Sequence, residues 1–111
     1  MDRVAEYGAI VKRIFEGIAA QIPEDDEVIT ERIYDEAKGH YELMRVGWRD
    51  TRRLHGIVLH ADVKGGKVWI QHDGTEDGIA DELLDAGIPK EHIVLAFHPP
   101  YKRPYTGFAT A

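Results

Sequence analysis

The feature of this sequence that most restricts its fold is a pair of adjacent glycines, Gly65 and Gly66, between two segments of strand-like composition. Residues 54–63 precede the pair and residues 67–72 follow it, and both are rich in the β-branched and aliphatic residues that favour strands. Adjacent glycines readily adopt the positive φ angles of a two-residue hairpin turn. We therefore predict a β-hairpin with its turn at these glycines.

The predicted turn also determines which residues of the hairpin share a face of the sheet. One face is apolar, and its predicted pairs are Val63 with Val68, Ala61 with Ile70, and Leu59 with His72. The opposite face is polar except for one exposed tryptophan, and its predicted pairs are Lys64 with Lys67, Asp62 with Trp69, and His60 with Gln71.

Several potential metal ligands are close together in this part of the sequence, namely His60, Asp62, His72 and Asp73. The predicted register places the two histidines on opposite faces of the sheet, because successive strand residues alternate between faces. We therefore expect no metal site and no cofactor. The chain contains no cysteine, which also excludes disulfides, thiolate nucleophiles and iron–sulfur clusters.

Hydrophobic spacing predicts the other elements. Apolar residues recur at helical spacing from Val4 to Ile22, and Pro23 ends that pattern. Residues 28–35 and 41–48 alternate like strands, and residues 93–97 are typical of a short last strand.

A second helix is predicted after the hairpin, beginning at Asp73. This aspartate can accept a hydrogen bond from a free backbone N–H, and Glu76 lies three residues later, as in a capping box. Gly87 is predicted to end the helix. Together the elements predict a single α+β domain over residues 1–111, with an antiparallel sheet of about five strands and two helices in the order α-β-β-β-β-α-β.

The net charge of −6 arises from 20 acidic and 14 basic residues, which are unevenly distributed. Blocks of opposite charge in one domain often pair with each other across the fold. The acidic block at residues 74–91 has no Lys or Arg among the acidic residues of its predicted helix. We therefore expect that helix and the polar sheet face to bind a basic partner through Trp69, Asp62, Glu76, Asp77, Asp81, Glu82 and Asp85. Basic residues form a second potential patch, made of Arg45, Arg49, Arg52, Arg53, Lys102 and Arg103.

The tail contains three prolines between residues 98 and 108, which exclude a helix or a central strand. Its aromatic residues, Tyr101, Tyr105 and Phe108, either anchor the tail to the chain's own core or contact a second copy of the chain, so we expect a homo-oligomer. No apolar run approaches the roughly 18 residues of a membrane span, and we also expect a soluble, cytoplasmic protein.

One long stretch has a distinctive order, with KVWIQHDGTEDGIA at residues 67–80, LL at residues 83–84 and GIPK at residues 87–90. Shorter stretches lie on both sides, with HYEL at residues 40–43, HADVK at residues 60–64 and PYKR at residues 100–103. Together they resemble the XisI family, the excision controlling factors of the fdxN element. The resemblance extends over nearly the whole chain from Tyr7.

This resemblance implies an XisI-like α+β domain with a role in programmed excision of a DNA element in cyanobacteria, alongside the recombinase XisF and a nuclease-like companion, XisH. It implies no catalytic residue. Three hypotheses follow: a non-enzymatic accessory protein that binds a XisH-like companion, a recombination directionality factor that binds DNA directly, and an enzyme that uses His60 and Asp62. No recognition-helix motif supports the second, although basic residues lie next to aromatic ones.

Overall fold

Over residues 3–111, which the computed structural model describes, two helices and five strands follow one another in the predicted order. They are α1 (Arg3–Gln21), β1 (Val28–Asp35), β2 (His40–Arg49), β3 (Arg52–Lys64), β4 (Lys67–Asp73), α2 (Ala80–Asp85) and β5 (Ile93–Leu95). Residues 1 and 2 of the predicted domain lie outside the described part of the chain. The α+β fold is confirmed.

The five strands form one sheet in the order β1-β2-β3-β4-β5. Neighbours from β1 to β4 are antiparallel because short turns connect them, whereas β5 is parallel to β4. The parallel pair follows from α2, which carries the chain back along the sheet before β5 begins. The sheet is therefore mixed, and only its last strand departs from the predicted antiparallel arrangement.

The predicted hairpin turn is present between β3 and β4. Gly65 and Gly66 have φ angles of 60° and 74°, the positive values that the turn requires. The pairs next to the turn are confirmed, namely Lys64 with Lys67, Val63 with Val68, Asp62 with Trp69, and Ala61 with Ile70. Turn chemistry therefore determines the register over this half of the hairpin.

A β-bulge shifts the register just beyond these pairs, so that His60 pairs with His72 and Leu59 pairs with Asp73. The predicted pairs of His60 with Gln71 and of Leu59 with His72 are wrong, because a bulge places two residues of one strand opposite one residue of the other. The register therefore does not separate the two histidines in the way that the sequence predicts.

The core lies between the helices and one face of the sheet. Val11 and Phe15 of α1 are fully buried, which confirms the amphipathic pattern of that helix. Leu83 of α2 belongs to the same core. These residues pack with alternating strand residues, namely Leu43, Leu59, Ala61, Val63, Val68 and Ile70. The residues between them in sequence consequently point to the opposite face.

The second helix begins at Ala80 rather than at Asp73. Gly78 has a φ angle of 79°, which is not helical. Asp73 instead accepts hydrogen bonds from the backbone N–H groups of Thr75 and Ile79, at 3.0 Å and 2.7 Å, and so holds the loop before the helix. The predicted capping box is therefore wrong.

Glu76 and Asp77 lie in this loop and not on a helix. The acidic residues that α2 itself exposes are Asp81, Glu82 and Asp85. The predicted end of the helix is confirmed at Gly87, whose N–H donates to the carbonyl of Leu84.

Gly47 of β2 lies so close to the start of β1 that a side chain does not fit. A Cβ atom at this position would lie 1.9 Å from the backbone oxygen of Glu27. We expect Gly47→Ala to lower the free energy of unfolding by about 1–3 kcal/mol, the usual cost of overpacking. Gly56→Ala in β3 is the matched control, because a Cβ atom there meets nothing within 4 Å. Urea unfolding gives the free energy of unfolding of both variants, and equal urea midpoints for the two would contradict the prediction.

Candidate functional site

Three side chains meet on the sheet face opposite the helices, His40 of β2 and His60 and Asp62 of β3. Nδ1 of His40 lies 2.7 Å from Oδ1 of Asp62, its partner across the two strands. Nε2 of His60 lies 3.0 Å from the same oxygen. One carboxylate oxygen thus contacts both imidazole rings, and we call these three residues the His–Asp cluster.

Two further polar residues surround the cluster. Gln71 of β4 donates from Nε2 to Oδ2 of Asp62 at 3.2 Å. Oε1 of Glu42 on β2 lies 3.7 Å from Nδ1 of His60. Both oxygens of Asp62 therefore have partners, which matters because Asp62 is only 8% exposed and a buried carboxylate without partners is costly.

Burial raises the pKa of Asp62, but the hydrogen bonds from His40 and His60 outweigh it and hold the pKa below the ordinary value of 3.8. Asp62 is therefore a carboxylate at neutral pH. The ionised group attracts both rings and orients them towards one point.

The cluster lines a surface cavity of about 380 Å³. Strands β1, β2 and β3 supply its walls, which consist of Ile33, Tyr34, Asp35, His40, Glu42, His60 and Asp62. His40 is the most accessible residue of the His–Asp cluster, with 54% of its side chain exposed. Small ligands can therefore reach both rings from solvent.

The sequence prediction missed His40. It grouped His60 and Asp62 with His72 and Asp73, which are near in sequence, whereas the structure takes the second histidine from another strand. Strand alternation in β2 is the signal that could have found it, because the β2–β3 pairing brings His40 opposite Asp62. The expected absence of a metal is argued from His60 and His72 and does not consider His40; the expected absence of a cofactor stays a prediction.

Trp69 is less exposed than predicted. Nζ of Lys64 lies 4.4 Å from the centre of its ring, and the guanidinium carbon of Arg103 from the tail lies 5.9 Å away. With both cations near its ring, Trp69 is half-buried. Trp48 near the tip of the β2–β3 hairpin is the exposed tryptophan, at 52%.

The predicted partner-binding residues divide into two groups. Trp69 and Asp62 lie on the open sheet face, whereas the acidic residues of α2 and of the loop before it lie on the helix side. All five of these acidic residues are exposed, and none has an ion pair within residues 3–111: Glu76, Asp77, Asp81, Glu82 and Asp85.

The predicted basic patch is also divided. Arg45 donates to the carbonyl of Pro23, Arg49 contacts Asp25 at 2.7 Å, and Arg53 lies over a tryptophan ring. The predicted pairing between charge blocks is thus confirmed at Arg49. Arg103 contacts Trp69, which pairs with a residue nine positions along β3 from Arg53. At about 3.3 Å per strand residue, the two parts of the patch are about 30 Å apart.

Within the tail, the aromatic residues differ in environment. Phe108 packs against the core of its own chain, as one of the two alternatives predicts. Tyr101 and Tyr105 are 72% and 89% exposed, so the chain's own core does not bury them.

The sequence matches the family described as XisI protein over residues 1–110. The chain belongs to the XisI family. Two solved XisI structures from Anabaena variabilis ATCC 29413 are similar to it. One is a XisI-like protein, with 37% identity, a TM-score of 0.93 and coverage of 97% of this chain and 99% of that chain.

The other is the fdxN element excision controlling factor XisI, with 35% identity, a TM-score of 0.87 and coverage of 99% and 100%. No match was found among curated protein sequences.

In the described part of this XisI family member, neither helix has the length and apolar character needed to cross a membrane.

The lowered pKa of Asp62 predicts a pH-dependent contribution to stability. Because folding lowers the pKa of Asp62, the carboxylate stabilises the fold fully when the pH is above its unfolded-state pKa, near 3.8. This stabilisation is lost as the pH falls through the folded-state pKa. We expect the difference in unfolding free energy between wild type and Asp62→Asn to shrink as the pH falls below about 4. Urea unfolding from about pH 6 to about pH 2 measures it, and other carboxyl groups cancel in the difference. A difference that does not change with pH would contradict this.

Proposed function

We propose that this XisI family member is a non-enzymatic controlling factor in excision of the fdxN element, and that it acts in the cytoplasm of a cyanobacterium by binding a XisH-like companion protein. The name of its relative, a controlling factor, supports the regulatory role. The acidic surface around α2 supports binding of a protein partner.

Five carboxylates around α2 that have no ion pair within residues 3–111 are the observation that carries this proposal. Some exposed carboxylates elsewhere in the domain contact basic side chains, as Asp25 contacts Arg49 and Glu36 contacts Lys12. None of the carboxylates of the acidic surface has an ion pair within the described chain, and Arg13 lines the same groove as two of them; the surface is made of Glu76, Asp77, Asp81, Glu82 and Asp85. A basic partner surface would supply such ion pairs and would be steered towards the acidic surface.

A groove beside α2 gives the acidic surface a concave part in which a partner's side chain can lie. It encloses about 350 Å³ between α1 and α2 and is lined by Arg13, Ile14, Gly17, Glu82, Asp85 and Ala86. A nuclease-like companion presents positive charge where it holds DNA, so the acidic surface also matches the chemistry of such a partner. Binding there would regulate the companion by competing with DNA.

Charge reversal of α2 tests the docking surface. We expect Asp81→Lys, Glu82→Lys and Asp85→Lys together to weaken binding of the co-expressed companion at least tenfold, because like charges across an interface cost several kcal/mol. The control triple reverses Asp26, Glu31 and Glu91, which are also exposed, so the net charge changes equally. Size-exclusion chromatography and calorimetry compare the variants. Equal binding by the two triples, or separate elution of the wild-type proteins, would refute the proposal.

We also propose that the chain self-associates through its tail. Tyr101 and Tyr105 are large aromatic residues that the described chain leaves exposed, and such residues are commonly buried between identical subunits. The tail itself is held in place, since the N–H of Ala109 donates to the carbonyl of Ile93 at 2.9 Å.

Light scattering checks the self-association. We expect a dimer mass for wild type at micromolar concentration and a monomer mass for the double variant Tyr101→Ala and Tyr105→Ala, because the aromatic contact area is lost. Trp48→Ala removes an exposed aromatic residue elsewhere and should leave the dimer intact. A monomeric wild type would contradict this expectation.

A further inference from the structure

We infer that His40, His60 and Asp62 bind a divalent transition-metal ion of the Zn²⁺ type. Each residue offers one ligand atom, and these atoms all lie within 4.8 Å of one another. The site is distinct from the acidic surface around α2, and the inference does not depend on the proposed function.

The donor atoms select the class of metal. Two imidazole nitrogens and one carboxylate oxygen are a common set for Zn²⁺ and neighbouring first-row ions, whereas Mg²⁺ and Ca²⁺ prefer oxygen ligands. The three residues leave a fourth position towards the cavity, which water or a partner's side chain can fill.

The distances already approach those of a tetrahedral site. With Zn–N bonds of about 2.0–2.1 Å, two ligand atoms of a tetrahedron are about 3.3 Å apart. The separations from Oδ1 of Asp62 to the ring nitrogens are 2.7 Å for His40 and 3.0 Å for His60. An ion would replace these two hydrogen bonds, and the ligand nitrogens of the two rings, which lie within 4.8 Å of each other, would move to about 3.3 Å apart.

The neighbours of the cluster hold the ligands in position. Oε1 of Glu42 is on the Nδ1 side of His60 and favours the tautomer whose ring proton is on Nδ1. In that tautomer Nε2 carries no proton and is free to bind the metal. Gln71 holds Oδ2 of Asp62 and so leaves Oδ1 towards the histidines. A carboxylate that polar neighbours orient, and a histidine with an acidic partner on its second nitrogen, are typical outer-shell features of metal sites.

The pairing of the strands also favours metal binding. Because β2 and β3 are paired strands of the sheet, the ligand backbones are already in place before the ion binds. The site therefore requires no refolding of the chain.

Calorimetry of the untagged full chain with ZnCl₂ tests the inference. We expect one ion per chain, no binding of MgCl₂, and a loss of Zn²⁺ affinity of more than about 100-fold in His40→Ala and in His60→Ala, since loss of an outer-shell partner alone costs about 10–100-fold. Gln71→Ala should show that smaller loss. His55→Ala is the matched control, because His55 is an exposed histidine of β3 outside the cluster.

Nuclear magnetic resonance of the histidine rings in the wild-type chain provides a second measurement that does not depend on the variants' folding. Zn²⁺ should shift the ring nitrogens of His40 and His60 and leave those of His55 unchanged. Two results would overturn the inference: a dissociation constant weaker than about 1 mM at neutral pH, or Zn²⁺ binding whose affinity and ring shifts do not involve His40 and His60.

Discussion

The packing of α1 on one face of the sheet is the constraint on which the rest of the structure depends. Burial of Val11 and Phe15 requires an apolar sheet face beneath them, and each such side chain contributes about 1.5–3 kcal/mol when fully buried. Strand residues alternate between faces, so this requirement assigns every second residue of the central strands to the core. The residues between them, including His40, His60 and Asp62, are thereby collected on the other face.

Asp62 shows how that second face accommodates a buried charge. Its neighbours in sequence belong to the core, which draws the carboxylate below the surface. Three donors from three strands then compensate for the lost solvation, and the two histidines among them outweigh burial in setting the pKa. The same donors fix the rings and the carboxylate relative to one another. Stability and ligand geometry therefore have a common origin in one side chain.

The sequence predicts what local chemistry determines. The turn at Gly65 and Gly66, the amphipathic α1 and the end of α2 all follow from a few adjacent residues. The contact of Arg103 with Trp69 does not, because it joins the tail to a strand that is far away in the chain. The bulge beyond Ala61 and the late start of α2 arise within residues 59–79, but they depend on strand register and on hydrogen bonds of Asp73 that hydrophobic spacing does not show. The His–Asp cluster combines both cases: His60 and Asp62 share a face by alternation, whereas His40 joins them only through the pairing of β2 with β3.

The two candidate surfaces lie on opposite sides of the sheet, so a partner on α2 leaves the His–Asp cluster accessible. Any coupling between them must pass through the sheet, and β4 is the shortest connection. Gln71 of β4 contacts Asp62, and Asp73 at the end of that strand holds the loop that leads into α2. If a metal at the cluster changes the affinity for the companion, linkage requires the companion to change the metal affinity by the same factor. Gln71 lies on this connection, so a coupling factor that is unchanged in Gln71→Ala would show that the coupling takes another route.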